Sequence, residues 1–307
     1  ARRAAMKRRI RAYFENQHVL EVDTPVLSPF AVSDPQIESL EISRCQVSGE
    51  PLYLHTSPEF CMKRLLAADY PDIYSICRVF RDGESGHLHQ PEFTMVEWYR
   101  LGMELNEIVT DTVGVIRAAL DTQIEATELD YQDAFLSACD VDPLRADIEE
   151  LTAAAGADDA LKAALGSERD DWLDLLLATR VLAEFPPGQL TVLRHYPASQ
   201  AALARLCPAD DRVADRFEVF LGPVELANGY VELTDAAEQA RRIEADNEAR
   251  RRRGRPVRPV DKQLIEAMEA GLPACAGVAL GLERLQMLFN KTDDIGNVIT
   301  FTFRDDA

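Results

Sequence analysis

The stretch that most limits what this chain can fold into is Arg78–Arg100, RVFRDGESGHLHQPEFTMVEWYR. Val79 and Phe80 are strand formers leading into Arg81. Asp82, Gly83, Glu84, Ser85 and Gly86 are turn formers, and a β-rich apolar run resumes from Phe93 to Tyr99. The pattern is a hairpin with a long polar loop. Around that loop stand Arg81, His87, His89, Gln90 and Glu92. Side chains alternate across a strand, so Phe93, Met95, Glu97 and Tyr99 share one face of the return arm.

Three other segments carry polar residues where the backbone pattern is regular. In 52–66, LYLHTSPEFCMKRLL, a short strand runs into Thr56-Ser57-Pro58-Glu59 and a helix. Ser or Thr as N-cap, Pro in the first turn and Glu close behind are ordinary helix-start chemistry. In 216–233, RFEVFLGPVELANGYVEL, Phe217, Val219 and Leu221 alternate as in a strand, Gly222-Pro223 turns, and Val224–Leu226 begins another strand. Glu218, Glu225 and Glu232 recur at intervals of seven. On a helix they would form a solvated stripe, but Gly222, Pro223 and Gly229 argue for a hairpin on which carboxylates converge. In 277–289, GVALGLERLQMLF, small residues give way to an amphipathic helix that opens with Glu283 and Arg284.

Bulk properties bound the function. The 307 residues can bury one large core or two smaller ones. With 33 Lys+Arg against 53 Asp+Glu the formal charge is −20, which opposes general phosphate neutralisation, so stable nucleic-acid binding is not expected. Cys45, Cys61, Cys77, Cys139, Cys207 and Cys275 form no CxxC pair and no zinc spacing. They read as reduced, buried thiols of a cytoplasmic protein. No apolar run is long enough to span a membrane, and no signal-type apolar core follows the basic first residues. Helical spacing marks Arg2–Glu15 and Glu104–Leu120, and residues 140–184 are Ala-rich, acidic and helical in period. Val19, Leu20 and Val22 read as a strand broken by Pro25, and Gln189–His195 as another, followed by a turn-like PASQAALA. Thr234–Arg253 reads as a polar helix whose basic end, Arg250–Arg253, complements the helix dipole and is a candidate contact for a macromolecular partner.

Taken in order, these segments resemble the class II aminoacyl-tRNA synthetases, most closely the lysyl branch. HLHQPEFTMVEWY is similar to motif 2, with its HxPEFTMxE pattern; HVLEVDTPVLSPF, with Pro25, to motif 1; and GVALGLERLQMLF to motif 3. TSPE and ELANG lie between them in family order. The resemblance runs from about Arg2 to Phe303 and is weakest over 140–184. It implies an α+β class II catalytic core, a mostly antiparallel six-stranded sheet flanked by helices, and a homodimer built through motif 1. It further implies a single domain over 1–307, with a helical insertion at about 140–184 and no anticodon-binding domain.

The resemblance also implies residue roles. ATP is met by Arg81, Asp82, Gly83, Glu84, His89, Gln90, Phe93, Glu225, Leu226, Gly281 and Arg284. Arg81 holds the α-phosphate and the amino-acid carboxylate, Arg284 the γ-phosphate, and Phe93 stacks on adenine. The amino acid is met by Ser57, Pro58, Glu59, Glu97, Tyr99, Asn228, Glu232 and Ala279, with Glu232 gripping the ε-ammonium of lysine. Glu218 and Glu225 hold Mg2+, which suits a few carboxylates, waters and substrate phosphates. Two departures stand out. The usual motif 2 has Glu where this chain has Gly83, with Glu84 one place on. Lysyl-tRNA synthetases have Gly where this chain has Ala279, and a methyl there crowds an α-amino group while tolerating a β-amino one, a difference worth about 1–3 kcal/mol. Within the family, the pattern is most similar to the freestanding branch that activates β-lysine and transfers it to a lysine of elongation factor P. A tRNA-directed enzyme without the anticodon domain and a non-catalytic regulatory paralogue are the alternatives.

Overall fold

The computed structural model describes residues 1–46 and 49–303, so the last four residues of the expected 1–307 domain lie outside it. The chain forms two compact units, Ala1–Asp121 with Val231–Ala307, and Thr122–Tyr230.

In the first unit, the helix Arg2–Asn16 turns Met6, Ile10 and Phe14 inward. Phe14 stacks on Tyr74 at 4.4 Å and meets Trp98 at 5.5 Å. The strand Leu20–Glu21 runs parallel to Ile73–Phe80. Ile73–Phe80 pairs antiparallel with Glu92–Leu101, which pairs antiparallel with Cys275–Gly281. The hairpin expected over 78–100 is thus the centre of this array, in register Arg78 with Thr94 and Phe80 with Glu92. The helix Leu105–Leu120 opens on a Glu104–Glu107 capping box, and its last carbonyls, at Ala118 and Ala119, accept from Arg9 Nε at 3.1 and 3.0 Å. The helix Glu59–Ala67 packs Met62 and Leu66 with Ile73, Tyr99, Leu264 and Met268.

In the second unit, Ala126–Asp130 runs parallel to Leu190–Arg194, which pairs antiparallel with Arg216–Leu221, itself antiparallel to Val224–Val231. Residues 140–184 are helical as expected, with α-helices at Ile148–Ala155, Asp159–Leu165 and Arg169–Leu176. Trp172, Leu173, Leu176 and Leu151 pack with Tyr131, Phe135 and Phe220.

The two arrays hold eight strands where six were expected, and the structure is mixed rather than mostly antiparallel at its edges. The extra strands, Leu20–Glu21 and Ala126–Asp130, are short or exposed and join by parallel pairing, for which local pattern gives no sign. Arg250 is a second correction. It is buried, not part of a solvated basic end, and it donates to Pro256 O at 2.7 Å, Asp34 O at 3.0 Å and Glu38 Oε2 at 2.6 Å. All six cysteines carry free thiols, but only Cys275 is buried, the other five being partly exposed where buried thiols were expected. Among the described residues no helix is long and apolar enough to cross a membrane.

Candidate active site

The first constellation begins at the start of the helix Glu59–Ala67. Ser57 Oγ accepts from the Glu59 amide at 2.9 Å and donates to Glu97 Oε2 at 2.7 Å. One hydroxyl therefore serves both the helix start and the site. On the strand Glu92–Leu101, Tyr99 Oη donates to the other oxygen of Glu97 at 2.8 Å, as the shared face predicts. One turn into the helix, Lys63 Nζ lies 2.6 Å from Glu59 Oε1 and 2.6 Å from Glu232 Oε2. Lys63, Glu97 and Glu232 are all buried. Lys63 is absent from the residues read from sequence. Its spacing of four from Glu59 is the one local signal, and that spacing ordinarily marks a surface ion pair.

Three carboxylates thus face one resident ammonium. Burial pushes the Glu97 carboxyl up to about 8, with the charge of Glu59 adding to it and Ser57, Tyr99 and Lys63 opposing it. Burial also raises Glu232, against the pull of Lys63. Burial works against the charge on Lys63, but Glu232 and Glu59 outweigh it and hold the amine protonated. Glu232 Oε1 has no hydrogen-bond partner among the described residues.

These shifts carry a sign. A carboxyl whose folded value exceeds its ordinary 4.5 stabilises the fold most below that value, and the contribution is lost as pH rises through about 8. Between those limits the folded protein holds a proton that the unfolded chain releases. A cationic ligand seated beside Glu97 lets it ionise, so binding at pH 7 is expected to release a proton. Calorimetric titration in buffers of differing ionisation enthalpy checks this; a binding enthalpy independent of buffer would mean that Glu97 does not ionise on binding.

The strand Cys275–Gly281 closes the other side, with Gly277 opposite Tyr99 and Ala279 opposite Glu97. A Cβ at Gly277 would sit 2.4 Å from Glu232 Oε1 and 2.5 Å from Tyr99 Cε1. Only glycine lets those two side chains approach this backbone. Residues directly opposite on antiparallel strands bring their Cβ atoms within about 5.5 Å, so the Ala279 methyl borders the Glu97 side chain. Ala279 and Gly281 were named from sequence; Gly277 was quoted only as the start of its segment.

The arginines of the hairpin and the last long helix also belong to this unit. The Arg81 guanidinium lies over the Phe93 ring at 5.2 Å, with Nη1 3.5 Å from Glu84 Oε1. Asp82 Oδ1 accepts from the Gly83 amide at 2.9 Å, and Gly83 takes a φ of 76°, which explains why this loop carries glycine there. Arg284 Nη2 donates to His89 Nε2 at 2.7 Å, which requires the His89 proton on Nδ1. Gly281 is the N-cap of the helix Leu282–Asn290. That helix start is anchored through Glu283, whose oxygens accept from the Thr94 amide at 2.9 Å and from Arg3 Nη2 at 2.6 Å. Gln90 is buried, and its Oε1 accepts from the Phe303 amide at 3.1 Å.

In the second unit, Arg216–Leu221 and Val224–Val231 form the expected hairpin, with Gly222 at a φ of 54° in its turn. Glu218 stands opposite Asn228, and Glu225 opposite Phe220 past a bulge. Arg216 Nη2 donates to Glu218 Oε1 at 2.6 Å and Arg216 Nε to Asn228 Oδ1 at 3.2 Å. Burial raises the Glu218 carboxyl to about 7, Arg216 opposes the shift and the nearby charge of Glu225 adds to it. Leu226 is buried between the two polar positions of its strand. Arg216, which sequence reasoning passed over, is the cation that keeps Glu218 in place.

The family model for tRNA synthetases class II (D, K and N) matches residues 1–304. Among curated proteins, one from Photorhabdus laumondii named elongation factor P–(R)-β-lysine ligase is 43% identical over 98% of this chain and 94% of its own length. Proteins of the same name from Klebsiella pneumoniae and Salmonella typhi are each 44% identical over the same shares.

Proposed function

Because the chain belongs to the family of tRNA synthetases class II (D, K and N), we propose that it joins (R)-β-lysine to a lysine ε-amine of elongation factor P at the expense of ATP. The observation that carries this is the cluster in which the carboxylates of Glu59, Glu97 and Glu232 gather around Lys63, with Glu97, Glu232 and Lys63 buried. An amino acid with a second ammonium group supplies the charge that the cluster lacks, and Glu232 Oε1 is an open acceptor for it. The names and coverage of the relatives support elongation factor P as the acceptor protein.

In the first step a carboxylate oxygen of β-lysine attacks the α-phosphorus of ATP, and pyrophosphate leaves. In the second the acceptor amine attacks the adenylate carbonyl, loses a proton, and AMP leaves. Glu97 and Glu232 hold the two ammonium groups, with Ser57 and Tyr99 fixing the rotamer of Glu97. Arg81 neutralises the α-phosphate and the substrate carboxylate, and Arg284, steadied by His89, the γ-phosphate. Each such charge-assisted hydrogen bond contributes about 1.5–3 kcal/mol. Phe93 offers its ring to adenine, and Gly83, Glu84 and Gln90 line the same loop.

The raised Glu218 carboxyl beside Glu225 is a pair that suits a hard cation better than two charges left facing each other. These two residues would hold Mg2+, which when bound offsets the charge of the phosphate oxygens. Residues 1–307 act as one catalytic domain carrying the helices of 140–184 as an insertion. The exposed Leu20 and Leu27, 45% and 49% accessible, support a homodimer through motif 1.

Exchange of labelled pyrophosphate into ATP, with (R)-β-lysine and L-α-lysine in parallel, tests the reading. The wild type is expected to prefer β-lysine. Ala279→Gly is expected to move the preference toward α-lysine by about 10- to 100-fold, the effect of one methyl in a packed pocket. A wild-type preference for α-lysine would instead favour a tRNA-directed enzyme.

A further inference from the structure

The helices of 140–184 have no chemistry of their own, yet one of them leads by hydrogen bonds to Glu218. Asp170 and Asp174 project from adjacent turns of the helix Arg169–Leu176. Ser199 Oγ donates to Asp170 Oδ1 at 2.8 Å, and Gln200 Nε2 to Asp174 Oδ1 at 2.8 Å. Ser199 and Gln200 end the 3-10 turn Ala198–Gln200, within the PASQAALA segment that reads as turn-like from sequence. The carbonyl of Gln200 accepts from Arg216 Nη1 at 2.6 Å, while Arg216 Nη2 reaches Glu218 Oε1 at 2.6 Å. The guanidinium is sandwiched further: its carbon lies 4.5 Å over the Tyr196 ring, and its Nε meets Asn228. The one fork of Arg216 therefore joins a turn carbonyl to a carboxylate, and the turn is held by two aspartates of the helix.

We propose that Asp170 and Asp174 are positioning residues that hold Gln200 so that Arg216 presents Glu218 to the metal of the nucleotide. This rests on the assignment of Glu218 as a metal carboxylate. The physical case is that an arginine fork has a fixed geometry, so moving its carbonyl partner moves the carboxylate that it also holds. Outer partners of metal carboxylates typically set affinity by about 10- to 100-fold. The two aspartates are peripheral to the helix's own packing, which rests on Trp172, Leu173 and Leu176.

The test is Mn2+ affinity, followed by its paramagnetic resonance signal in the presence of a non-hydrolysable ATP analogue. The full chain carries Asp170→Ala with Asp174→Ala, Asp170→Asn with Asp174→Asn, or Glu218→Gln. The alanine pair is expected to weaken Mn2+ about tenfold, with KM for β-lysine unchanged and circular dichroism as in the wild type. The asparagine pair keeps an acceptor oxygen at each place and is expected to restore most of the affinity. Wild-type Mn2+ binding by the alanine pair, while Glu218→Gln loses it, overturns the positioning role and leaves Glu218 as a metal carboxylate. Unchanged Mn2+ binding by Glu218→Gln overturns the metal assignment itself.

Discussion

Replacing Lys63 with methionine is expected to remove about 3–5 kcal/mol of folding stability, the cost of deleting one partner from a buried ion pair. Methionine keeps the length and much of the volume of the side chain, so a cavity contributes little. What is lost is the ammonium 2.6 Å from both Glu59 and Glu232, the second of which is wholly inaccessible. Glu232 then has no cation among the described residues, and protonation is its cheapest escape. The deficit is therefore expected to shrink as pH is lowered from 8 toward 5.5, opposite to an ordinary loss of packing. Denaturant melts at the two pH values measure this. A variant with the wild-type midpoint at both would show that Lys63 does not compensate these carboxylates. Glu59→Gln is the milder comparison, because Glu59 is partly exposed and Lys63 would still hold Glu232.

Arg284→Ala is expected to lower kcat/KM for pyrophosphate exchange by about 10²- to 10³-fold, roughly 2.7–4 kcal/mol, as for loss of one fixed donor to a developing charge. The fold should tolerate the change. Arg284 is only partly buried, and the helix start is anchored separately by Glu283 to Thr94 and Arg3. Binding of β-lysine to the protein without ATP should be unchanged, since the Glu97 cluster does not involve this residue. Arg284→Lys is expected to recover only part of the rate, because an ammonium cannot offer one nitrogen to His89 and another to a phosphate in the planar fork. Exchange at the wild-type rate in the alanine variant would take Arg284 out of the phosphate site.

Much of this site was legible residue by residue. Alternation along 93–99 was enough to put Glu97 and Tyr99 on one face, and they share a hydrogen bond there. Gly222 and Pro223 were enough to turn 216–233 into a hairpin and set Glu218 near Glu225. Ser57 looked equally like a helix start and a site residue; its hydroxyl accepts from the Glu59 amide and donates to Glu97. Helix limits were close to expectation: Leu105–Leu120 where Glu104–Leu120 was read, and Ala236–Arg252 where Thr234–Arg253 was read. The strand expected at 19–22 shrinks to Leu20–Glu21, because its pairing depends on a single parallel neighbour.

What the sequence by itself determined is whatever rests on period, turn chemistry and motif: the central hairpin, the carboxylate hairpin, the helix starts and the family. Only the tertiary structure decided the charge balance of the interior. Lys63 and Arg250 sit in helices among other charged residues and read locally as solvated cations, yet both are buried. Whether a cation faces water or the core depends on a carboxylate brought from far along the chain, Glu232 for one and Glu38 for the other. Gly277 belongs to the same class, since its lack of a side chain matters only when Tyr99 and Glu232 have been packed against it. Local sequence encodes which faces can be buried; long-range packing supplies the partner that makes burying a charge affordable.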